Sequence, residues 1–271
     1  MFELELNPTF EKLFQGKDPF EAAFELTGES FRKVKSRHTF RIEVEGKGYF
    51  VKLHRGIGLK EYFKNLFQFK KPVTGADQEF HALKHLAQYS VRSMTSAAYG
   101  CRGFFPPFRT SFLITEELCD TVSLEDYTRS WMEAGCAPFV IKRRLIKELG
   151  GMAGRMHRSG LNHRDCYICH FLLKKGSECG AGGVQLHVID LHRAEIRESV
   201  PYHYWVKDVA GLYFSSMDLP LSKRDLGVFL KAYFDQKSLR VILKEKDAFL
   251  RDVQKTALTL YEKEQRKRNK K

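Results

Sequence analysis

The chain has 271 residues, 43% hydrophobic and 29% charged, enough for one large domain or two lobes with cores of their own. No apolar run approaches the roughly 20 residues of a membrane span, and the acidic start Met1-Phe2-Glu3-Leu4-Glu5-Leu6 is not a signal peptide, so a cytoplasmic protein with reduced cysteines is expected. The 46 basic against 33 acidic residues leave +13, which favours an anionic partner: nucleic acid, phospholipid, or a phosphorylated or acidic substrate.

Strand alternation comes first in the chain. Phe40, Ile42 and Val44 alternate with Arg41, Glu43 and Glu45; Gly46-Lys47-Gly48 supplies a turn and Tyr49 to Leu53 runs back. The pattern predicts a β-hairpin with Lys52 near the end of its second strand. From Asp77 to Gln88, Phe80, Leu83 and Leu86 recur at helical spacing, with Glu79 beside them. Ser111 to Thr115 reads as a further strand, which Glu116, Glu117 and Leu118 leave. Residues 1–118 therefore predict an N-terminal lobe of antiparallel sheet plus helix.

Residues 119–271 predict a mostly helical lobe. Ile141, Leu145, Leu149, Met152 and Met156 form one apolar stripe of a helix from Val140 to Arg158. Gly150, Gly151 and Gly154 weaken that helix intrinsically and suit close contact with a neighbour, and Gly160 suits the left-handed residue that ends it. A polar loop, 162–170, is followed by a strand from Val184 to Ile189 that delivers Asp190 at its end. Ser222-Lys223-Arg224-Asp225 reads as a capping box with Asp for Glu, opening a helix through Phe234. Arg266 to Lys271 is a basic tail, open between a solvated terminus and a segment drawn to an anionic membrane.

The loop His163-Arg164-Asp165-Cys166-Tyr167-Ile168-Cys169-His170 carries competing readings. Cys-Tyr-Ile-Cys-His has the spacing of a c-type haem attachment site. That chemistry needs export, and it leaves Lys52, Glu79 and Asp190 unexplained. Zinc could use His163, Cys166, Cys169 and His170, but all four lie within eight positions, too compressed for two distant ligand pairs. His-Arg-Asp, in contrast, is the catalytic-loop motif of the protein-kinase fold, where the Asp orients an attacking hydroxyl and accepts its proton.

Phosphoryl transfer needs a positioned hydroxyl, a held triphosphate and cations against the developing charge. Lys52 is the candidate for the α- and β-phosphates, Glu79 for its ion-pair partner, and the backbones of Glu116 and Leu118 for the adenine base. Asp165 is the candidate base, and Asp190, 25 positions later, the Mg²⁺ ligand. Taken singly each residue is commonplace: strand lysines are usually solvated, and acids after strands usually make turns. Their joint order carries the reading, an α+β bilobal protein-kinase-like fold using ATP and Mg²⁺. Two departures stand out. The turn Val34 to Thr39 has no glycine, so Ser36 and Arg37 are the candidates to cover the phosphates. His170 stands where a second-metal Asn is usual; magnesium prefers oxygen, so His170 as a metal ligand competes with His170 as a phosphate contact or loop support. Lys207-Asp208 is open between a surface ion pair and an Asp208 that anchors the catalytic loop from beneath.

The runs Asn162 to Leu173, Val188 to Ala194, Tyr49 to Lys52, Gly75 to Glu79 and Lys207 to Ser215 closely resemble the lipopolysaccharide core heptose(I) kinases of Gram-negative bacteria, over about Phe31 to Phe234. The resemblance implies ATP- and Mg²⁺-dependent phosphorylation of the first inner-core heptose at its 4-hydroxyl, with Asp165 as base and Asp190 as metal ligand. It also implies a lipid-linked core oligosaccharide as acceptor, a peripheral position at the anionic cytoplasmic face of the inner membrane, acyl carrier protein as an acidic partner, and no nucleic acid. Catalytic apparatus alone does not name an acceptor, so another saccharide or a protein side chain is the alternative; the loop run favours heptose.

Overall fold

A computed structural model describes residues 2–34, 36–56 and 75–269; Lys35 of the expected phosphate-covering turn and the last two tail lysines lie outside them. The described residues group into two compact units. One lies within Met1–Lys84, Met94–Leu118 and Leu191–Arg193, the other within His85–Ser93, Cys119–Asp190 and Ala194–Lys271. The division is thus not a single cut at residue 118.

In the first unit, β1 (Phe2–Leu6), β2 (Glu29–Val34), β3 (Arg37–Val44), β4 (Lys47–His54), β5 (Ser96–Arg102) and β6 (Thr110–Glu116) form one antiparallel sheet, in the order β1-β5-β6-β4-β3-β2. Strands β3 and β4 join through Glu45-Gly46, both at positive φ (51° and 75°), which suits the right-handed twist of a tight hairpin. The turn therefore falls just before Lys47, and Gly48 lies inside β4. Phe40, Ile42, Tyr49, Val51, Phe112 and Ile114 are buried with Phe10 of α1 (Pro8–Leu13), Phe14 that caps it, and Phe20 of α2 (Pro19–Glu25). Burying each such aromatic or aliphatic side chain is worth about 1.5–3 kcal/mol. Helix α3 (Asp77–Gln88) has the bounds its periodicity predicts. Phe80 on it stacks flat on Tyr99, ring centroids 3.8 Å apart.

The second unit is mostly helical, built from α4 (Leu124–Ala134), α5 (Phe139–Arg158), α6 (Tyr202–Ser215), α7 (Lys223–Tyr233), α8 (Leu239–Glu245) and α9 (Asp247–Arg268). Leu145, Leu149, Met152 and Met156 of α5 are buried as the stripe predicts. Its glycines admit α7 closely. A Cβ on Gly150 would come 2.7 Å from the Phe229 carbonyl oxygen, and one on Gly154 2.1 Å from that of Tyr233. Gly160 ends α5 at φ +86°. Helix α7 opens with the expected reciprocal box between Ser222 and Asp225, and Lys142 Nζ lies 2.8 Å from Asp225. The tail is helical through Arg268. Two small sheets frame the polar loop: β8 (Leu161–Asn162) pairs with β11 (Glu195–Ile196), while β9 (Phe171–Lys174) lies between β10 (Leu186–Val188) and β7 (Thr121–Ser123).

Candidate active site

The first unit holds the lysine and its partner. On β4, Tyr49, Val51 and Leu53 point to the aromatic core, which by strand alternation turns Lys52 to the other face. There Lys52 Nζ lies 2.6 Å from Glu79 Oε1, with side-chain exposures of only 11% and 2%. A pair this dry is held in one geometry, unlike a surface ion pair. His54, on the same face of β4, is buried and its imidazole is pushed down to about 3, by burial first and then by the charges of Arg37, Lys52 and His192. Arg37, Lys52 and His192 thus create a cationic neighbourhood around a neutral imidazole. Ser36 sits in the β2–β3 turn, where its carbonyl receives the Arg55 N–H at 2.9 Å.

At the end of β6, the Glu116 N–H is spent on the Thr95 carbonyl at 2.9 Å, and the Glu117 N–H on that of Gly48 at 3.0 Å. The Glu117 carboxylate is gripped by Arg41 through Nε and Nη2, at 2.8 to 3.0 Å. A Cβ at Gly48 would lie 1.8 Å from that carboxylate, so a side chain there would displace the Arg41–Glu117 pair. The backbone of Glu116 and Glu117 is thereby tied to Thr95, just before β5, and to Gly48 of β4.

The second unit holds the two acids. His163, fully buried, donates from Nε2 to the Ile189 carbonyl at 2.9 Å and receives the Asp165 N–H on Nδ1 at 3.3 Å. One neutral ring therefore links the residue before Asp190 to Asp165 itself. Burial lowers the His163 pKa against the opposing pull of Asp208, which keeps it neutral as those two bonds require. His170 makes a parallel link: Nδ1 donates to the Asp165 carbonyl at 2.7 Å, and Nε2 lies 3.5 Å from the Asp190 carboxylate. Burial pulls the His170 pKa down, but bonds to the Cys169 side chain and the Asp165 carbonyl, with the charges of Cys169 and Asp190, raise it to about 9. Arg164 and Asp190 both adopt left-handed backbone, at φ 72° and 63°. Non-glycine residues in that region carry strain, and such strain gathers at functional sites.

Asp208 of α6 resolves the alternative left open by its sequence. Only 1% exposed, its carboxylate receives the N–H groups of His163 and Arg164 at 2.6 and 2.9 Å, and His157 Nε2 at 3.3 Å. It is a buried anchor for the loop. His157 in turn faces the Tyr233 hydroxyl at 2.5 Å, and Trp205 Nε1 donates to that same hydroxyl. Three helices, α5, α6 and α7, thus hold one carboxylate. Gly211, one turn further along α6, lets the loop rest directly on the helix: a Cβ there would lie 2.6 Å from the Cys166 carbonyl oxygen.

Cys166 is buried, and burial, with the nearby charges of Asp208 and Asp165, pushes its thiol well above the ordinary value. It packs the loop as a small apolar group. Among the described residues, no three His, Cys, Asp or Glu side chains converge as a metal cage. The parts that pattern reading did not find are His163 as a bridge, His157, Tyr233, Trp205 and the Arg41–Glu117 grip. Of these, only His163 and Glu117 lay inside a motif, the first in the His-Arg-Asp loop and the second in the segment leaving β6.

Sheet, strand lysine, helix glutamate and Asp-bearing loop are the parts of a kinase. The match to known proteins is narrower. Residues 21–233 match the lipopolysaccharide kinase (Kdo/WaaP) family. The chain is 46% identical over 263 residues to the lipopolysaccharide core heptose(I) kinase WaaP of Pseudomonas aeruginosa, covering 97% of each chain. It is 44% identical over 265 residues to that of Escherichia coli K12, covering 97% of this chain and 99% of the relative. Among solved structures it resembles WaaP in complex with acyl carrier protein, with a TM-score of 0.82 and 42% identity, over 96% of this chain and 99% of that one. The chain belongs to the lipopolysaccharide kinase (Kdo/WaaP) family.

Proposed function

We propose that this chain transfers the γ-phosphate of ATP to the 4-hydroxyl of the first heptose of the lipopolysaccharide inner core. The double bridge by His163 and His170 between the Asp165 and Asp190 segments carries the reading. Relatives of nearly equal length that act on the core heptose(I) support the acceptor.

In this reading Asp165 orients the acceptor hydroxyl and takes its proton as the oxygen attacks phosphorus. The backbone bonds to its N–H and carbonyl hold it in place. Lys52, steered by Glu79, contacts the α- and β-phosphates, while Ser36 and Arg37 cover them from the β2–β3 turn. Glu116 serves the adenine base through its carbonyl, since its N–H is already committed, and Leu118 through its backbone. Asp190 suits magnesium: it is a partly exposed carboxylate two residues past β10, and magnesium takes one or two carboxylates together with phosphate oxygens. Bound there, the ion would neutralise charge on the transferring phosphate. His170 is assigned to loop support and not to the metal, because both of its nitrogens face oxygen acceptors and a protonated imidazole offers no lone pair.

The acceptor is lipid-linked and the chain carries +13, which favours a peripheral position at an anionic membrane face and a small acidic partner such as an acyl carrier protein. Labelled γ-phosphate supplied to purified core lipopolysaccharide lacking inner-core phosphate tests the activity. Label should appear on the first heptose with wild type and be absent with Asp165→Asn, which should still fold and bind nucleotide. Turnover by that variant at the wild-type rate would remove Asp165 from its role, and no labelling of heptose by wild type would remove the acceptor.

A further inference from the structure

Between β5 and β6 the chain runs Gly103-Phe104-Phe105-Pro106-Pro107-Phe108. Phe104, Phe105 and Phe108 are 78%, 66% and 59% exposed, in a unit whose Phe10, Phe20, Phe40 and Phe112 are fully buried. Three rings facing water on one short loop oppose the hydrophobic effect, and such a patch marks a surface that meets something apolar. The second half of the loop has few backbone donors that need water. Pro106 and Pro107 have no backbone N–H to satisfy, and the Phe108 N–H is bonded within the loop, to the Phe105 carbonyl at 3.0 Å. Unsatisfied backbone groups are what keep ordinary loops out of lipid.

The loop holds a defined shape. Phe104 and Phe105 meet edge to face at 5.5 Å. The Pro107 carbonyl oxygen and Phe108 Cα lie 2.3 and 2.7 Å from where a Cβ of Gly56 would stand. Cations flank it. Exposed Arg102 immediately precedes it, its guanidinium 4.4 Å from the Phe20 ring and also 3.2 Å from Asp18. Exposed Arg55, beside Gly56, lies 4.8 Å from the Phe24 ring. Arg109 follows the loop and is paired with Asp77.

We propose that this loop is a membrane-docking element, its three phenyl rings entering the interface of an anionic bilayer while Arg55 and Arg102 meet headgroup phosphates. An aromatic tip free of acidic residues, flanked by arginines in a chain of +13, complements anionic lipid. The inference deepens the reading of a lipid-linked acceptor and rests on it for its purpose. Its test is separate from phosphoryl transfer.

The full chain is sedimented with vesicles of phosphatidylcholine alone and of phosphatidylcholine containing phosphatidylglycerol. Wild type should bind the anionic vesicles. The triple variant F104S/F105S/F108S should bind them about tenfold or more weakly, with an unchanged melting temperature and unchanged turnover on a detergent-dispersed acceptor. In the F105W variant, indole emission should shift to the blue on anionic vesicles and be quenched by brominated acyl chains. Equal vesicle binding by wild type and triple variant would overturn the proposal. So would failure of wild type to bind, or an F105W spectrum indifferent to vesicles. If heptose labelling failed while these vesicle results held, the acceptor reading alone would fall.

Discussion

His163 and His170 lie face to face within the second unit, ring centroids 5.6 Å apart and planes 4° apart. The pair works as a double strut. One ring joins the Asp165 N–H to the Ile189 carbonyl, and the other joins the Asp165 carbonyl to the Asp190 carboxylate. His163→Phe would keep a ring in the stack and remove both of its bonds. Leaving a buried donor and acceptor unpaired costs about 1–3 kcal/mol each. Urea unfolding should show a loss of roughly 2–6 kcal/mol, and turnover should fall more than the ATP KM rises, because the position of Asp165 is what loosens. Wild-type stability in that variant would mean that the bridge carries no load.

Asp208 should be the least replaceable acid of the second unit that does not touch substrate. Its carboxylate serves two backbone N–H groups and His157 in a site almost closed to water. Asp208→Ala strands three donors at once, so a loss of about 3–5 kcal/mol is expected in chemical unfolding. Asp208→Asn keeps the volume and one acceptor. It should lose less stability than the alanine variant while still losing turnover, because one of the two amides that set the loop meets an N–H instead of an oxygen. An asparagine variant as active as wild type would reduce Asp208 to a packing role.

Pattern reading found the parts of this molecule whose signal is local. Helix α3 and the buried stripe of α5 were legible because a strong apolar period repeats over several turns. The box at Ser222 was legible because both of its partners lie within one turn. Strand β1 escaped although Phe2-Glu3-Leu4-Glu5-Leu6 alternates apolar and acidic residues, because the run is short and its burial does not follow that alternation. The short helices α1 and α2 escaped for want of length, although Asn7-Pro8 and Asp18-Pro19 are start signals that each proved to be an N-cap followed by proline. At the site, residue types and their order were legible, and so was the pairing of Lys52 with Glu79, but most other partners were not. Asp208 was legible only as one of two alternatives, surface pair or loop anchor, and nothing near Gly48 announces the carboxylate of Glu117. Such pairings come from tertiary contacts that a linear pattern does not record.

The three glycines of α5 separate cleanly by environment. At Gly154 an added methyl would sit 2.1 Å from the Tyr233 carbonyl oxygen, which is backbone and fixed by α7, whereas at Gly151 it meets only the end of the Arg155 side chain at 3.3 Å. Gly151→Ala should therefore stabilise the protein by about 0.5–1 kcal/mol through helix propensity and a less disordered unfolded chain. Gly154→Ala should destabilise it by about 1–3 kcal/mol or more, because α7 must move away. Thermal unfolding of the two single variants checks the opposite signs. A shift of the same sign for both would mean that helix propensity, and not the α5–α7 approach, governs these positions.

The buried imidazole of His54 makes stability depend on acidity. Burial, then Arg37, Lys52 and His192, hold its pKa at about 3 in the folded chain against an ordinary value of 6.5. Between those two pH values the unfolded chain binds a proton at this site and the folded chain does not, so acidification favours unfolding. The contribution of His54 is complete above about pH 6.5 and declines towards pH 3, by at most ~1.4 kcal/mol per pH unit. Other groups titrate over the same range, so the informative quantity is the difference between wild type and His54→Asn. Wild type should lose stability more steeply than the variant as pH falls from 6.5 to 4, with the two curves parallel from pH 7 to 8. Parallel curves throughout would mean that His54 takes up its proton within the fold, and the cationic neighbourhood drawn around Lys52 would then be wrong.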